Sequence, residues 1–305
     1  MLRQGNLGAG APSVNAQARV CLIFANRGLP AVNPDDRHSA PAGSKLRYEV
    51  DVAALLPRLQ SRLIALERDA ATDAFLARAA RGRHGWLGTA AHGVLRQFMS
   101  DFDVNGLLGM YSLFLASNAH FRTLLGERKV PRLLDVGAGS GNVTRELMPL
   151  AEHVVATELS SQMARQLRRL GVECHKIDLA DRDLPGADFD LIACLNVLDR
   201  TARPRQLLRR LVERLEPRGR LVIALALPYR PFYYDGTSTP EPLERLRCDD
   251  PTWEGAVNRL VERELEPLGL TLTSLSRAPY LSFGDSKRGL YVLDDAILIL
   301  EKPTP

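Results

Sequence analysis

Leu133-Leu-Asp-Val-Gly-Ala-Gly-Ser-Gly-Asn142 is the stretch that decides the fold. Its first four residues read as a short buried strand and its glycines as a tight turn. Asn142-Val-Thr-Arg-Glu-Leu-Met148 reads as the helix that this turn opens. Glycines at such a place remove the Cβ atoms that would keep a nucleotide-like ligand from bare backbone. Gly137, Gly139 and Gly141 are spaced G-x-G-x-G, whereas dinucleotide sites use G-x-G-x-x-G to set a pyrophosphate at the helix N-terminus. Asp135 precedes the turn inside the strand; a carboxylate there repels pyrophosphate and suits a ligand with a cationic amino acid part. Further on, Val154-Val-Ala-Thr-Glu158 reads as a second strand ending in a carboxylate, where an acidic residue takes both ribose hydroxyls.

Together these features resemble the S-adenosylmethionine site of Rossmann-like methyltransferases. A bare glycine-rich turn with no ligand is the alternative, and the pairing of Asp135 with Glu158 argues against it. Downstream, strand and helix patterns alternate, which predicts a parallel sheet with helices on both faces. Strands are expected at 132–136, 153–158, 173–177, 189–195 and 219–226, with helices at 142–149, 160–169 and 203–215 and a short turn at 180–184. After an excursion near 229–252 comes a helix at 253–268. Two last strands, 271–278 and 291–300, would form a hairpin-like pair at the sheet edge. The expected fold is therefore α/β, a seven-stranded Rossmann-like S-adenosylmethionine-dependent methyltransferase fold with an N-terminal helical extension. Residues 1–47 read as a leader, 48–125 as a helical region covering the ligand face, and 126–305 as the methyltransferase domain.

The bulk properties are those of an ordinary soluble globular protein: 305 residues, 45% hydrophobic and 25% charged. The net charge of +4 raises the question of nucleic acid, but acidic residues are interspersed with the basic ones. The densest run, Arg203 to Arg220, holds seven arginines. Leu207, Leu208, Leu211, Val212 and Leu215 follow helical spacing through it, so it reads as a solvated helix face. Cys21, Cys174, Cys194 and Cys248 are far apart and form no C-x-x-C, and no histidine pair has metal-ligand spacing, so no metal site is expected. No apolar run reaches membrane-spanning length. Residues 1–34 carry Arg3, Arg19 and Arg27 and no acidic residue, a composition that suits an organellar transit peptide or a disordered tail of an intracellular protein.

Ligands of open parallel sheets sit beyond the carboxyl ends of the strands, where the strand order reverses. The fourth expected strand ends in Ala193-Cys-Leu-Asn196-Val-Leu-Asp199-Arg200, so its polar groups project to where a methyl acceptor must lie. Enzymes that methylate amino groups of flipped bases often carry (Asp/Asn)-Pro-Pro-(Tyr/Phe) here; Val197 and Leu198 follow Asn196 instead, which disfavours that reading. Asn196 and Asp199 can both face one acceptor ring. Alternatively, Asn196 caps the strand and Asp199 caps the helix that begins near Pro204.

A wider pattern bears on that choice. Asn105-Gly-Leu-Leu-Gly109, Leu133–Asn142, Ala156-Thr-Glu-Leu-Ser160, Cys194-Leu-Asn-Val-Leu-Asp-Arg200, Leu225-Ala-Leu-Pro228, Pro279-Tyr-Leu281 and Tyr291-Val-Leu-Asp-Asp-Ala296 occur in this order. The set resembles METTL9-type (DREV) methyltransferases, which methylate the pros nitrogen of protein histidines, typically in His-x-His with small x. The resemblance implies that Asp135, Gly137, Gly139, Gly141, Glu158 and Asn196 hold S-adenosylmethionine. It implies that Asn196 and Asp199 fix the acceptor imidazole as the catalytic pair and that Tyr280 and Tyr291 line the peptide site. The expected partners are proteins or peptides containing His-x-His. Of Asp294 and Asp295, one would support the site and the other the sheet edge. His84 and His120 are more simply surface or packed residues, and Trp86 and Trp253 core or hinge residues.

The chain departs from the family in two places: Met110-Tyr-Ser112 stands where relatives have Arg-Gly-Ser, and the loop Phe283-Gly-Asp-Ser-Lys-Arg-Gly289 is unusually basic. Transfer to a small metabolite and a catalytically silent S-adenosylmethionine-binding protein are the other readings, because the cofactor fold alone says nothing about the acceptor.

Overall fold

The computed structural model describes residues 46–81, 112–233, 240–283 and 289–304. The leader up to residue 45, residues 82–111 of the expected helical region with His84, Trp86 and Asn105–Gly109, and the middle of the basic loop lie outside the described residues. Among the described residues eight strands form one sheet: β1 (Leu113–Phe114), β2 (Val130–Val136), β3 (Ala151–Thr157), β4 (Glu173–His175), β5 (Phe189–Leu195), β6 (Leu215–Ala226), β7 (Thr271–Phe283) and β8 (Leu290–Glu301). The helices are α1 (Pro57–Gln60), α2 (Ala70–Arg81), α3 (Asn118–Leu125), α4 (Thr144–Leu147), α5 (Ser161–Arg169), α6 (Pro204–Glu213) and α7 (Trp253–Leu260).

The strand order is β1-β7-β8-β6-β5-β2-β3-β4. Strands β4, β3, β2, β5 and β6 run parallel, and β8 is antiparallel to both β6 and β7. This is the expected doubly wound α/β sheet, with eight strands in place of seven. The extra strand, β1, has only two residues, too short to show an alternating pattern in sequence. The closing pair lies toward one end of the sheet as expected, antiparallel, with β8 its inner strand between β6 and β7. Its run Ala296-Ile-Leu-Ile-Leu300 is buried at every position, which requires cover on both faces and hence an interior place.

Side chains one residue apart on these strands face opposite layers. Leu134, Ile192, Leu221, Ile223 and Leu298 pack with α6 and α7 through Leu207, Leu211, Val257 and Leu260. Leu133, Leu191, Val222, Ile297 and Ile299 pack on the other face with Phe121 and Leu124 of α3 and Leu147 of α4. The helix after the glycine turn is shorter than expected. Helix α4 has four residues and gives way to a 3-10 turn, Met148–Leu150, because Pro149 has no N–H to continue the ladder.

The N-terminal segment wraps the outer edge of β7. Leu275 N–H donates to the Arg62 carbonyl and Ile64 N–H to that of Leu275, both at 2.8 Å. At the far end of the strand β1 pairs antiparallel, Leu113 with Ser282 and Phe114 with Leu281. An uncovered strand of this length would offer a row of open donors and acceptors to other chains. Only one helix of appreciable length, α2, forms among residues 46–81, since residues 62–64 are committed to this pairing. Phe75 of α2 clamps the arrangement, its ring 5.6 Å from that of Phe114 and 5.0 Å from that of Phe283. Phe75 is fully buried, so Phe75→Ala is expected to cost about 3 kcal/mol or more in chemical denaturation. A loss well under about 1 kcal/mol would show that α2 adds little to the fold.

Candidate functional site

Strand β2 is flanked by β3 on one side and β5 on the other, so the strand order reverses there and a crevice opens at the carboxyl ends. The glycine turn fills its floor. Gly137, Gly139 and Gly141 have φ of +63°, +58° and +81°, the left-handed region that side chains with a Cβ disfavour. They serve different purposes. A Cβ on Gly137 would lie 2.8 Å from Val197 Cγ2, and one on Gly141 would lie 2.8 Å from Leu170 Cδ1. At Gly139 a Cβ would meet nothing within 4 Å, so this is the glycine that faces open space. Gly137 lets β2 approach the loop after β5, Gly141 seats the turn on α5, and Gly139 exposes backbone.

Glu158 follows β3 and ties the turn to the next helix. Its Oε2 accepts from Gly139 N–H at 2.8 Å and its Oε1 from Ser160 N–H at 2.7 Å, while the Ser160 hydroxyl caps α5 by accepting from Met163 N–H. A carboxylate has about four lone-pair sites and can accept from two vicinal hydroxyls, the chemistry a ribose needs. Glu158 N–H donates to the His175 carbonyl at the end of β4. Asp178 lies just past β4 on the same rim, its carboxylate accepting from Ala180 N–H. The sequence reading did not single it out; its position at a parallel strand's carboxyl end is the signal that could have.

Asp135 is buried on the face shared with Leu133, and its Oδ2 accepts from the Thr144 hydroxyl at 2.6 Å. Burial pushes its carboxyl up to about 7; the Thr144 bond opposes this, and the charge of Glu158 adds to it. The folded chain therefore keeps a proton here up to about pH 7, whereas an unfolded aspartate releases it near 3.8. On this group alone the ligand-free fold becomes less stable as pH rises across that window.

The loop after β5 carries the second half of the site. Asn196 adopts a left-handed φ of +55°, tolerated by its short polar side chain, and its N–H donates to the Ala224 carbonyl at 2.9 Å. Its Nδ2 donates to Asp295 Oδ2 at 2.6 Å, and its Oδ1 is buried with no hydrogen-bond partner. Asp199 is 1% exposed, and neither of its carboxylate oxygens has a hydrogen-bond partner. Among the described residues the cation paired with it is Arg200, whose Nε lies 3.6 Å from Asp199 Oδ2. Asp199 caps no helix: the residue before α6 is Arg203, and no side chain caps that end. The capping alternative is thereby set aside.

Strand parity places the remaining groups. Tyr280 pairs with Leu293 and Ser282 with Tyr291, so both tyrosines lie on one face, along with Asp295, which pairs with Ala226 and Ala278. Asp294 faces the opposite layer. There Arg277 donates to its carboxylate at 2.8 and 2.5 Å, stacks on Trp253 and meets Glu254. Asp295 thus belongs to the crevice and Asp294 to the layer under α7. His120 is a packed residue, its Nε2 2.9 Å from the Glu67 carbonyl. Among the described residues no group of His, Cys, Asp and Glu could hold a metal ion, and no helix is long and apolar enough to cross a membrane.

Comparison with known proteins adds the following. The family described as DREV methyltransferase matches residues 47–302. A ubiquinone biosynthesis O-methyltransferase of Xylella fastidiosa is 30% identical over 103 residues, 30% of this chain and 41% of that protein. The mitochondrial enzyme of the same name from Schizosaccharomyces pombe is 27% identical over 101 residues, 30% of this chain and 37% of that protein. The chain thus spans well under half the length of either relative. Among solved structures, the N-methyltransferase NodS of Bradyrhizobium japonicum WM9 in complex with S-adenosyl-L-homocysteine is 17% identical. That match covers 75% of this chain and 97% of NodS, with a TM-score of 0.40.

Two outcomes follow from the turn. Gly137→Ala should destabilise the fold by about 1–3 kcal/mol, through the strained φ and the contact with Val197. Gly139→Ala, with no steric clash, should leave the melting temperature nearer to that of the parent and weaken S-adenosylhomocysteine binding in calorimetric titration. Equal behaviour of the two variants would remove the division of labour. If Asp135 faces the ligand's ammonium group, affinity should fall as pH drops from 7.5 to 5.5, by up to about tenfold per unit below its pKa. Asp135→Asn should flatten that profile, and a flat profile in the parent would take Asp135 out of ligand binding.

Proposed function

The chain belongs to the DREV methyltransferase family, and from that premise we propose that it methylates the pros nitrogen of histidine in proteins, with S-adenosylmethionine as donor. The observation that carries the acceptor is the carboxylate of Asp199, almost wholly buried and with neither oxygen hydrogen-bonded. A buried carboxylate in that condition costs several kcal/mol unless a donor completes it. A ring N–H is such a donor.

The residues around Gly139 fit the cofactor on their own chemistry: an open stretch of backbone, a carboxylate for two hydroxyls and, in Asp135, a buried acid able to meet an ammonium group. When bound, S-adenosylmethionine supplies an electrophilic methyl carbon on a sulfonium. Neutral imidazole has one N–H and one lone pair. Asp199 accepting the tele N–H selects the tautomer whose lone pair is on the pros nitrogen. The same carboxylate then stabilises the positive charge that develops on the ring, the orienting role an aspartate plays toward a histidine in hydrolase triads. Asn196 fixes the ring plane, and Tyr280 and Tyr291 form the wall of the peptide site. No strong base is required, since the attacking nitrogen carries no proton; alignment and electrostatics do the rest.

A small-molecule acceptor is the second reading, favoured by the near-complete burial of Tyr280 and Tyr291 at 6% and 3% exposure. Labelled cofactor with His-Ala-His and Ala-Ala-Ala peptides separates the two. Transfer confined to the histidine peptide is expected, and equal transfer to both or to neither would sink the histidine reading. Asp199→Ala should lower transfer by about a hundredfold or more while cofactor affinity stays near that of the parent. Undiminished transfer in this variant would remove Asp199 from the reaction.

A further inference from the structure

Asp295 is fully buried, in the middle of a sheet, and is used by nothing in the scheme above except Asn196. Asn196 follows β5 and Asp295 lies on β8, with β6 between the two strands; the β6 residue beside Asp295 is Ala226, with Ala278 on its other side in β7. Two alanines leave the carboxyl room to reach across β6 to the loop after β5. We propose that Asp295 is a positioning residue: it holds the Asn196 amide with its nitrogen inward and its oxygen toward the acceptor. Asn196 and Asp199 then present only hydrogen-bond acceptors, and the site takes an acceptor whose one ring N–H meets Asp199, with a further N–H donor outside the ring for Asn196 Oδ1. The inference rests on the methyl-transfer reading of this crevice.

An amide has nearly the same shape when turned by 180° about its last bond, so something must select which end faces the ligand. Asp295 does so, its Oδ2 accepting from Asn196 Nδ2 at 2.6 Å. Asn196 Oδ1, buried and without a partner, is the end left over. The groups that bear on Asp295 are Asn196, Asp199, Arg200 and the adjacent Asp294. Burial raises its carboxyl well above the ordinary range, the Asn196 bond opposes this, Asp199 adds to it, Arg200 opposes it, and Asp294 adds to it. Two carboxylates in one dry site favour a proton on one of them. Protonation of Asp295 at Oδ1 leaves Oδ2 an acceptor, so the Asn196 bond survives in either state. An asparagine at 295 offers the same pattern, a carbonyl oxygen beside a donor.

The first test needs no turnover. In the ligand-free protein, one side-chain amide proton of Asn196 should be shifted downfield and slow to exchange by NMR. Asp295→Ala should abolish both signs, and Asp295→Asn should restore most of the protection. An Asn196 amide that is the same in the parent and in Asp295→Ala would overturn the proposal. The second test is a double-mutant cycle on the acceptor that the parent labels. Asp295→Ala should lower kcat about tenfold or more, with cofactor affinity within about twofold of the parent, and should cost nothing further in an Asn196→Ala background. A full loss persisting in that background would show that Asp295 acts by another route. Should histidine peptides fail as acceptors, the histidine reading falls, while the amide measurement still decides the role of Asp295.

Discussion

The contact on which the site depends is the approach of Gly137 to Val197, so close that a single added methyl carbon would lie 2.8 Å from Cγ2. Strands β2 and β5 are neighbours in register, Val136 beside Cys194. Their carboxyl ends therefore emerge together only if the first residue of each loop leaves room for the other. Gly137 leaves that room. It brings the backbone turn that faces open space at Gly139 next to the loop bearing Asn196 and Asp199. Without that approach the two halves of the crevice would be pushed apart, and transfer over a single bond length would have no geometry to use.

The second organising fact is charge. Asp135, Asp199 and Asp295 are all buried around the same carboxyl ends, with Arg200 set against Asp199 at short range. Such a concentration of acid is unfavourable in an empty fold, because desolvation disfavours the charged forms. It is suited to ligands that arrive with N–H donors or positive charge. The rest of the fold absorbs its own charges differently. Asp294, one residue from Asp295, is neutralised by Arg277 in a contact that also reaches Trp253 and Glu254. One strand thus carries a paired acid on one face and a site acid on the other.

Much of this was legible in the chain. The strand–turn–helix at Leu133–Asn142, the interior strands and their parallel order follow from apolar runs too short for helices and bounded by turn residues. The eighth strand was not legible, because β1 is two residues long and exists only as a pairing with Ser282 and Leu281. The interior place of β8 was partly legible in the unbroken apolar run at 296–300, which an edge strand would not need. Pro149 likewise announces the early end of α4. The division between Asp294 and Asp295 could have been read from the odd-numbered series Tyr291, Leu293, Asp295 and Ile297, had the register with β6 been known.

By itself, then, the amino-acid sequence determined the element types, the sheet's parallel half and the glycine turn with its two carboxylates, since each depends on residues near one another along the chain. Only the tertiary structure decided which buried acids share a site. Asn196 and Asp295 are 99 residues apart and meet because β8 inserts beside β6. Side-chain parity is local, but which face of a sheet meets which loop is set by strand order, and strand order is a property of the packed whole.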